Sequence, residues 1–353
     1  MNDSPLFDQV HFGGPDRSPG ALRDVLEKCV EEVPAGGSID WVTYYFRDRR
    51  LAGALLRAHR RGVQVRVVLS ASTRTPAANS AVVRMLSGTE GLGTGLRLVD
   101  LGGFAVPIGR GLVPRLHEKI YCFSHPRPTA LVGSFNPSDD EPEVHPEVIA
   151  EIGAHQRSWN VLVALTESKL VTGLRTHIRT LHSDAPGIFY RFTEKANASI
   201  DTIGSRIYFW PRATAHPVLE RLERLPHTAR VRIAASHLSA PTVVKGLLRL
   251  SRRGVRVEVL SEMTVRRVTN ACEKRLRDGG ILFKRLAGDE AVPMHLKMVL
   301  VDSGAERWTA FGSFNWTRPS MWMNHEVALV SEDARLFEAF SGRWCDLHAA
   351  SVA

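Results

Sequence analysis

Apolar positions along this chain switch repeatedly between a helical period and strict alternation, which predicts helix followed by strand. From residue 51, LAGALLRAHRRGVQVRVVLS carries leucine and alanine at helical spacing and then alternates through Val63, Val65 and Val67. From residue 243, VVKGLLRLSRRGVRVEVLSE repeats the design and ends in Val255, Val257 and Val259. Both turn on Arg-Arg-Gly, so Gly62 and Gly254 fall where a helix C-terminus must enter left-handed backbone. Strands are predicted at Ser38 to Tyr45 and Ala229 to Ser236, and helices over 77–87, 168–182 and 332–348. Short strands interleaved with helices predict an α/β fold with parallel or mixed sheets and helices on the sheet faces.

A second repeated pair lies downstream. HEKIYCF at 117–123 precedes LVGSFN at 131–136, and HLKMVLVD at 295–302 precedes AFGSFN at 310–315. The helix–strand segments are 192 residues apart and the His-containing segments 178 apart, in the same order. The chain therefore reads as two copies of one unit, residues 1–182 and 183–353, joined through 183–210.

Composition narrows the class of protein. The 353 residues are 44% apolar and 24% charged, and no heptad is sustained, which excludes a disordered or fibrous chain. Lys and Arg exceed Asp and Glu by nine, so an anionic partner is expected. The basic pairs Arg49-Arg50, Arg60-Arg61, Arg252-Arg253 and Arg266-Arg267 read as helix ends and surface. The four cysteines, at 29, 122, 272 and 345, have neither CxxC nor metal-ligand spacing, so reduced thiols are expected, with Cys122 in the core. No run reaches 18 apolar residues and the first residues lack a signal-peptide pattern, so the expectation is a cytoplasmic protein without a transmembrane segment.

On a strand, His-x-Lys sends both side chains to one face, about 6.6 Å apart along the backbone. His117 with Lys119, and His295 with Lys297, would then suit a bound phosphoryl group, the lysine offsetting its charge while the histidine attacks or moves a proton. The downstream GSFN segments add Ser134 and Asn136 in one copy and Ser313 and Asn315 in the other. All eight side chains could meet only if the motif strands of the two copies face each other, so one site at a pseudo-twofold axis is expected.

These residues resemble the phospholipase D superfamily, whose pattern is HxK, four residues, Asp, then GSxN and a later Glu. The resemblance covers the chain, and copy two is complete in His295, Lys297, Asp302, Gly312, Ser313, Asn315, Asn324 and Glu326. It implies two duplicated αβαβα halves with mixed sheets packed around one site, no metal or other cofactor, and attack by one histidine on phosphorus to give a phosphohistidine that water or an alcohol resolves. Copy one departs twice: Ser124 stands at the Asp position and Asn160 where copy two has Glu326. Family precedent makes His117 the nucleophile and His295 the general acid, with Lys119, Lys297, Asn136 and Asn315 clamping phosphate and Glu326 orienting a histidine. Asp302 reads either as part of the motif or as a structural partner for a backbone N–H or a nearby Arg.

Two loops bear on substrate. An acidic, proline-rich insertion follows Asn136, with Asp139, Asp140, Glu141, Glu143 and Glu147, and on a site rim it would repel a long polyanion. Trp316, Met321, Trp322 and Met323 follow Asn315 and suggest an apolar lip, core packing being the alternative for at least one Trp. The leading expectation is a phosphodiesterase or phosphatidyltransferase acting on phospholipid or a small phosphodiester, with peripheral membrane contact. Competing readings are a nuclease or nucleic-acid end-processing enzyme, and a catalytically weak phosphate-binding protein.

Overall fold

The computed structural model describes residues 7–75, 77–101, 113–139, 146, 148, 155–184, 198–212, 216–287 and 292–352. It divides into two compact units, Met1–Tyr190 and Arg191–Ala353, each with its own sheet and core.

Unit one runs β1 (Phe7–Gly13), α1 (Ala21–Glu31), β2 (Ser38–Thr43), α2 (Arg49–Arg60), β3 (Gln64–Ser70), α3 (Ala77–Ser87), β4 (Leu96–Val99), β5 (Ile120–Phe123), β6 (Thr129–Gly133), β7 (Asn160–Leu165) and α4 (Ser168–Ser183). Its sheet order is β1-β7-β6-β5-β2-β3-β4. Strands β2, β3 and β4 are parallel, as their helical crossovers require, and the remaining pairs are antiparallel.

Unit two runs β8 (Ile200–Thr202), β9 (Ser205–Trp210), α5 (Pro217–Glu223), β10 (Arg230–Ala235), α6 (Pro241–Arg252), β11 (Arg256–Ser261), α7 (Asn270–Asp278), β12 (Leu282–Leu286), β13 (Lys297–Asp302), β14 (Arg307–Gly312), α8 (Arg318–Trp322), β15 (Glu326–Ser331), α9 (Ala334–Ala349) and β16 (Ser351–Val352). The sheet order β16-β12-β11-β10-β13-β14-β15-β9-β8 contains the seven-strand order of unit one and adds one strand at each edge. The mixed α/β fold with two similar halves is thus present, strand for strand.

The repeated helix–strand segments explain the cores. In α2, Leu51, Ala52, Ala54, Leu55, Leu56 and Ala58 are buried, the Asp48 side chain caps Leu51 N at 2.8 Å, and Gly62 follows the helix with φ +89°. In α6, Val243, Val244, Leu247, Leu248 and Leu250 are buried and Gly254 has φ +91°. These faces cover Trp41, Val65 and Val67 in unit one and Ile233, Val257 and Val259 in unit two. On the other face of sheet one lie buried Asp40, paired with Arg66 at 3.2 Å and Arg179 of α4 at 3.2 Å, and buried Cys122, whose thiol desolvation pushes up. On the corresponding face of sheet two, Phe311 meets Phe340 of α9 with ring centroids 5.0 Å apart. Among the described residues, no helix is long and apolar enough to cross a membrane.

His216, just before α5, is the N-cap of that helix, its Nδ1 accepting from Leu219 N at 3.4 Å. Its ring is packed among Trp210, Phe314 and Trp316, with centroids 4.9, 4.2 and 5.3 Å away. Desolvation there pushes its pKa from 6.5 down to about 3, outweighing a backbone hydrogen bond that raises it, and Arg212 adds to the fall. Between those values the unfolded chain binds a proton that the native ring refuses, so stability falls as pH drops through this window, by at most about 1.4 kcal/mol per pH unit. Thermal unfolding followed between pH 7 and pH 5 should therefore show a shallower fall of Tm in His216→Phe than in the wild type, whatever its Tm at pH 7. Equal slopes would show that His216 carries none of the acid sensitivity.

Candidate active site

Both His-x-Lys segments lie at the entry to the antiparallel strand that neighbours the first parallel strand of their sheet, β5 beside β2 and β13 beside β10. His117 and Lys119 precede β5, and His295 lies two residues before Lys297, which opens β13. All four residues are buried. Each lysine folds back so that Nζ donates to the carbonyl of its own histidine, at 2.5 Å in both units. In unit one the shared direction is visible: the Tyr44 ring lies 5.3 Å from His117 and 5.7 Å from Lys119 Nζ. Glu118, between them, turns the other way and meets His177 Nε2 of α4 at 2.9 Å.

The GSFN segments close β6 and β14, and their glycines are sterically required. A Cβ at Gly133 would stand 1.9 Å from the Val161 carbonyl oxygen, and one at Gly312, whose φ is +149°, would stand 2.2 Å from that of Val327. The serine that follows bonds the neighbouring strand in both directions. Ser134 N donates to Val161 O at 3.0 Å and Val161 N to Ser134 Oγ at 3.1 Å; Ser313 N donates to Val327 O at 2.9 Å and Val327 N to Ser313 Oγ at 3.0 Å.

That leaves each hydroxyl hydrogen for the first residue of the neighbouring strand. Ser134 Oγ donates to Asn160 Oδ1 at 2.9 Å, and Ser313 Oγ donates to Glu326 Oε2 at 2.5 Å, while Asn324 Nδ2 donates to Glu326 Oε1 at 3.1 Å. Gly133 pairs with Leu162 and Gly312 with Ala328, each two residues into its strand, so Asn160 and Glu326 occupy equivalent places. Asn136 is buried with Oδ1 accepting from Tyr45 N at 3.4 Å, and Asn315 is buried at the matching position.

Asp302 is not among this group. It ends β13, five residues beyond Lys297 and hence roughly 17 Å along the strand. There its carboxylate accepts from Gly304 N at 2.9 Å and pairs with Arg307 at 3.2 Å, so it holds the turn into β14. Ser124, at the same place in unit one, instead accepts on Oγ from Ser38 N, at the start of β2, at 2.8 Å. The contacts of Asp302 are those of the structural alternative, a backbone N–H and an arginine.

Several neighbours of these clusters have no counterpart in the motif. Besides Tyr44 in unit one, unit two buries Glu262, immediately after β11, and Arg267, further along the same connection. Arg267 thereby corrects the reading of Arg266-Arg267 as surface: Arg266 is exposed, but Arg267 donates to Ser236 Oγ at 3.2 Å and lies 4.0 Å from Glu262. The available signal was position, since Tyr44, Ser236 and Glu262 all stand at the C-terminal ends of parallel strands, where α/β sheets gather their chemistry.

Of the apolar lip, Trp316 and Met321 belong to the core of unit two, Met323 is half-buried and Trp322 is 46% exposed. Asp140, Glu141, Glu143 and Glu147 of the acidic insertion lie outside the described residues, and Asp139 is half-buried. Among the described residues, no group of three or more His, Cys, Asp or Glu side chains is gathered as a metal site.

The model of the family described as "Cardiolipin synthase, PLD-like domain" matches residues 34–163 and 223–343, taking in both clusters. The mitochondrial cardiolipin hydrolase of Danio rerio is 32% identical over 107 residues, which are 30% of this chain and 45% of that protein. That of Chlamydomonas reinhardtii is 31% identical over 94 residues, 27% of this chain and 40% of that protein. The chain thus spans less than half the length of these curated relatives. The solved phosphatidylserine synthase of Haemophilus influenzae Rd KW20 superposes with a TM-score of 0.69 over 98% of this chain and 88% of that one, and at 13% identity it shows a shared fold. With the family match covering well over half of its residues, the chain belongs to the cardiolipin synthase, PLD-like domain family, and so to the phospholipase D superfamily of phosphodiesterases and transferases.

Proposed function

We propose that the protein is a phospholipase D-type phosphodiesterase or phosphatidyltransferase, with phospholipid or a related small phosphodiester as substrate and a phosphohistidine intermediate. The observation that carries this reading is the duplication of one cluster: a buried histidine, a buried lysine drawn to its carbonyl, and a GSxN serine locked to the first residue of the next strand. A phospholipid substrate is further supported by the family's description and by the names of the two cardiolipin hydrolases.

In this mechanism both histidines serve one phosphodiester. His117 attacks phosphorus, forming a P–N bond as the P–O bond to the leaving alcohol breaks, and His295 gives its ring proton to that leaving oxygen. His295 then takes the proton of an incoming water or alcohol, whose oxygen attacks phosphorus and breaks the P–N bond. Lys119, Lys297, Asn136 and Asn315 hold the remaining phosphoryl oxygens through both transition states. Glu326, an anion where unit one has an amide, stabilises an imidazolium better than Asn160 can.

A panel of diacyl phospholipids, single- and double-stranded DNA, RNA and a bis-aryl phosphodiester, assayed with chelator present, tests the substrate class. Release of headgroup alcohol with phosphatidic acid is expected. Selective cleavage of nucleic acid would replace the lipid reading with a nuclease. On the established substrate, His117→Ala and His295→Ala should each lower kcat by at least about 10³, because nucleophile and proton donor depend on one another. Near-wild-type turnover in either variant would rule out a shared reaction.

Glu326→Gln keeps an acceptor for Ser313 but loses the charge, and should cost about 10² in kcat, whereas Asn160→Ala should cost less. The reverse ranking, with both proteins folded by circular dichroism, would place the main orienting contact in unit one. Because Trp322 is exposed just beyond the GSxN segment, Trp322→Ala should raise KM for vesicle phospholipid several-fold and leave the soluble aryl diester unchanged. An equal effect on both substrates would deny Trp322 a role at the lipid surface.

A further inference from the structure

Unit two contains a buried ionic group beside His295 that the phosphodiesterase motif does not account for. Glu262 follows the last residue of β11, and its Oε2 accepts from the backbone N–H of Met294 at 2.6 Å. Met294 immediately precedes His295, so this bond ties the chain entering β13 to the end of a strand 32 residues earlier. Arg267 Nη1 lies 4.0 Å from the same carboxylate and donates to Ser236 Oγ at 3.2 Å, and Ser236 Oγ in turn meets His237 Nδ1 at 3.1 Å. Burial holds the Glu262 carboxyl pKa above its ordinary value, offset only in part by Arg267, the Met294 N–H, Lys297 and Arg266.

The arrangement is peculiar to unit two. β2 and β3 pair through Thr43 and Leu69 at their last rung, and β10 and β11 through Ala235 and Ser261, so the residue matching Glu262 is Ser70. Ser70 donates its hydroxyl to Ser72 O at 2.9 Å and brings no charge. Where unit two has Ser236 next to Arg267, unit one has Tyr44, whose ring covers His117 and Lys119.

We infer that Glu262 is a positioning residue for His295: it fixes the backbone that carries the ring, and its negative charge, set between Arg267 and Lys297, favours the protonated imidazole that must donate to the leaving group. This rests on the proposed phosphodiester chemistry and deepens it, since it supplies a reason within unit two for His295 to be the acid. A buried carboxylate near two cations offsets the repulsion they would exert on an imidazolium. The other charged groups around Glu262 are Arg266 and His237, together with Arg285 of β12. That arginine donates to the Glu262, Met263 and Thr264 carbonyls, and is itself paired with Glu273 of α7 at 2.7 Å.

The test compares Glu262→Gln, which keeps an acceptor for Met294 N–H, with Arg267→Gln, which removes the opposite charge. Two readouts are taken on the full chain: the pH profile of kcat/KM on the substrate cleaved by the wild type, and an NMR titration of the His295 ring in the free protein. Glu262→Gln should lower kcat about tenfold and move the alkaline limb, and the His295 titration, to lower pH, while Arg267→Gln should move both to higher pH. A residue that merely packs would shift neither midpoint in a charge-dependent direction. Superimposable profiles for the two variants and the wild type would overturn the assignment, as would shifts of the same sign. Failure of Glu262→Gln to fold would also count against it, making the carboxylate an element of stability. The NMR arm needs no turnover, so an inactive wild type would sink the proposed function while the His295 titration still decides the role of Glu262.

Discussion

Both clusters depend on a glycine that lets one strand approach the next more closely than any side chain would permit. At Gly133 and Gly312 a Cβ would penetrate a carbonyl oxygen of the adjacent strand, so the ladder can close only with glycine there. The serine that follows is then pinned from both sides by Val161 or Val327, and its hydroxyl has one direction left in which to donate. That direction selects the first residue of β7 or β15. In unit one Gly133 N also donates to Lys119 O at 3.4 Å, which sets the GSxN segment against the chain that carries His-x-Lys. Local steric necessity therefore sets the serine against the first residue of the next strand in each unit.

On this common frame the two units have acquired different electrostatics. Unit one covers its histidine with the Tyr44 ring and gives Ser134 an amide acceptor, Asn160, while its buried Glu118 faces away toward His177. Unit two buries two carboxylates on the cluster side, Glu326 bonded to Ser313 and Asn324, and Glu262 bonded to Met294 N–H near Arg267. Burying carboxylates without such partners would cost several kcal/mol each, so their bonds are what make the asymmetry tolerable. The proposed two-step transfer would use such inequality, because nucleophile and proton donor need opposite protonation states at the same pH.

The spacing HxK, four residues, Asp combines two kinds of residue. Histidine and lysine lie at the entry to β13, whereas Asp302 lies at its exit and holds a turn through Gly304 and Arg307. Ser124 stands at the same place in unit one and makes a different backbone contact, accepting from Ser38 N. A linear motif thus records fold and chemistry together, and spacing along a strand does not separate them.

The sequence by itself determined the duplication, the helix–strand units with their glycine turns, and the common direction of His117 and Lys119, which one Tyr44 ring meets. All of these follow from periodicity and sterics over a few residues, where the chain's own geometry leaves little choice. The acceptors of Ser134 and Ser313 were half-legible, since aligning the copies marked Asn160 and Glu326 but gave no bond. For Tyr44 and Glu262 the sequence offered only their position at strand ends, and for Arg267 not even that. Nothing near Glu262 in sequence points to Met294, and an Arg-Arg pair reads as solvated surface. Only the sheet order, which sets the ends of parallel β10 and β11 beside the entry to antiparallel β13, makes them neighbours. Tertiary structure decided this because hydrogen bonds and buried ion pairs act over a few ångströms in space, and only the folded sheet converts 32 residues of chain into 2.6 Å.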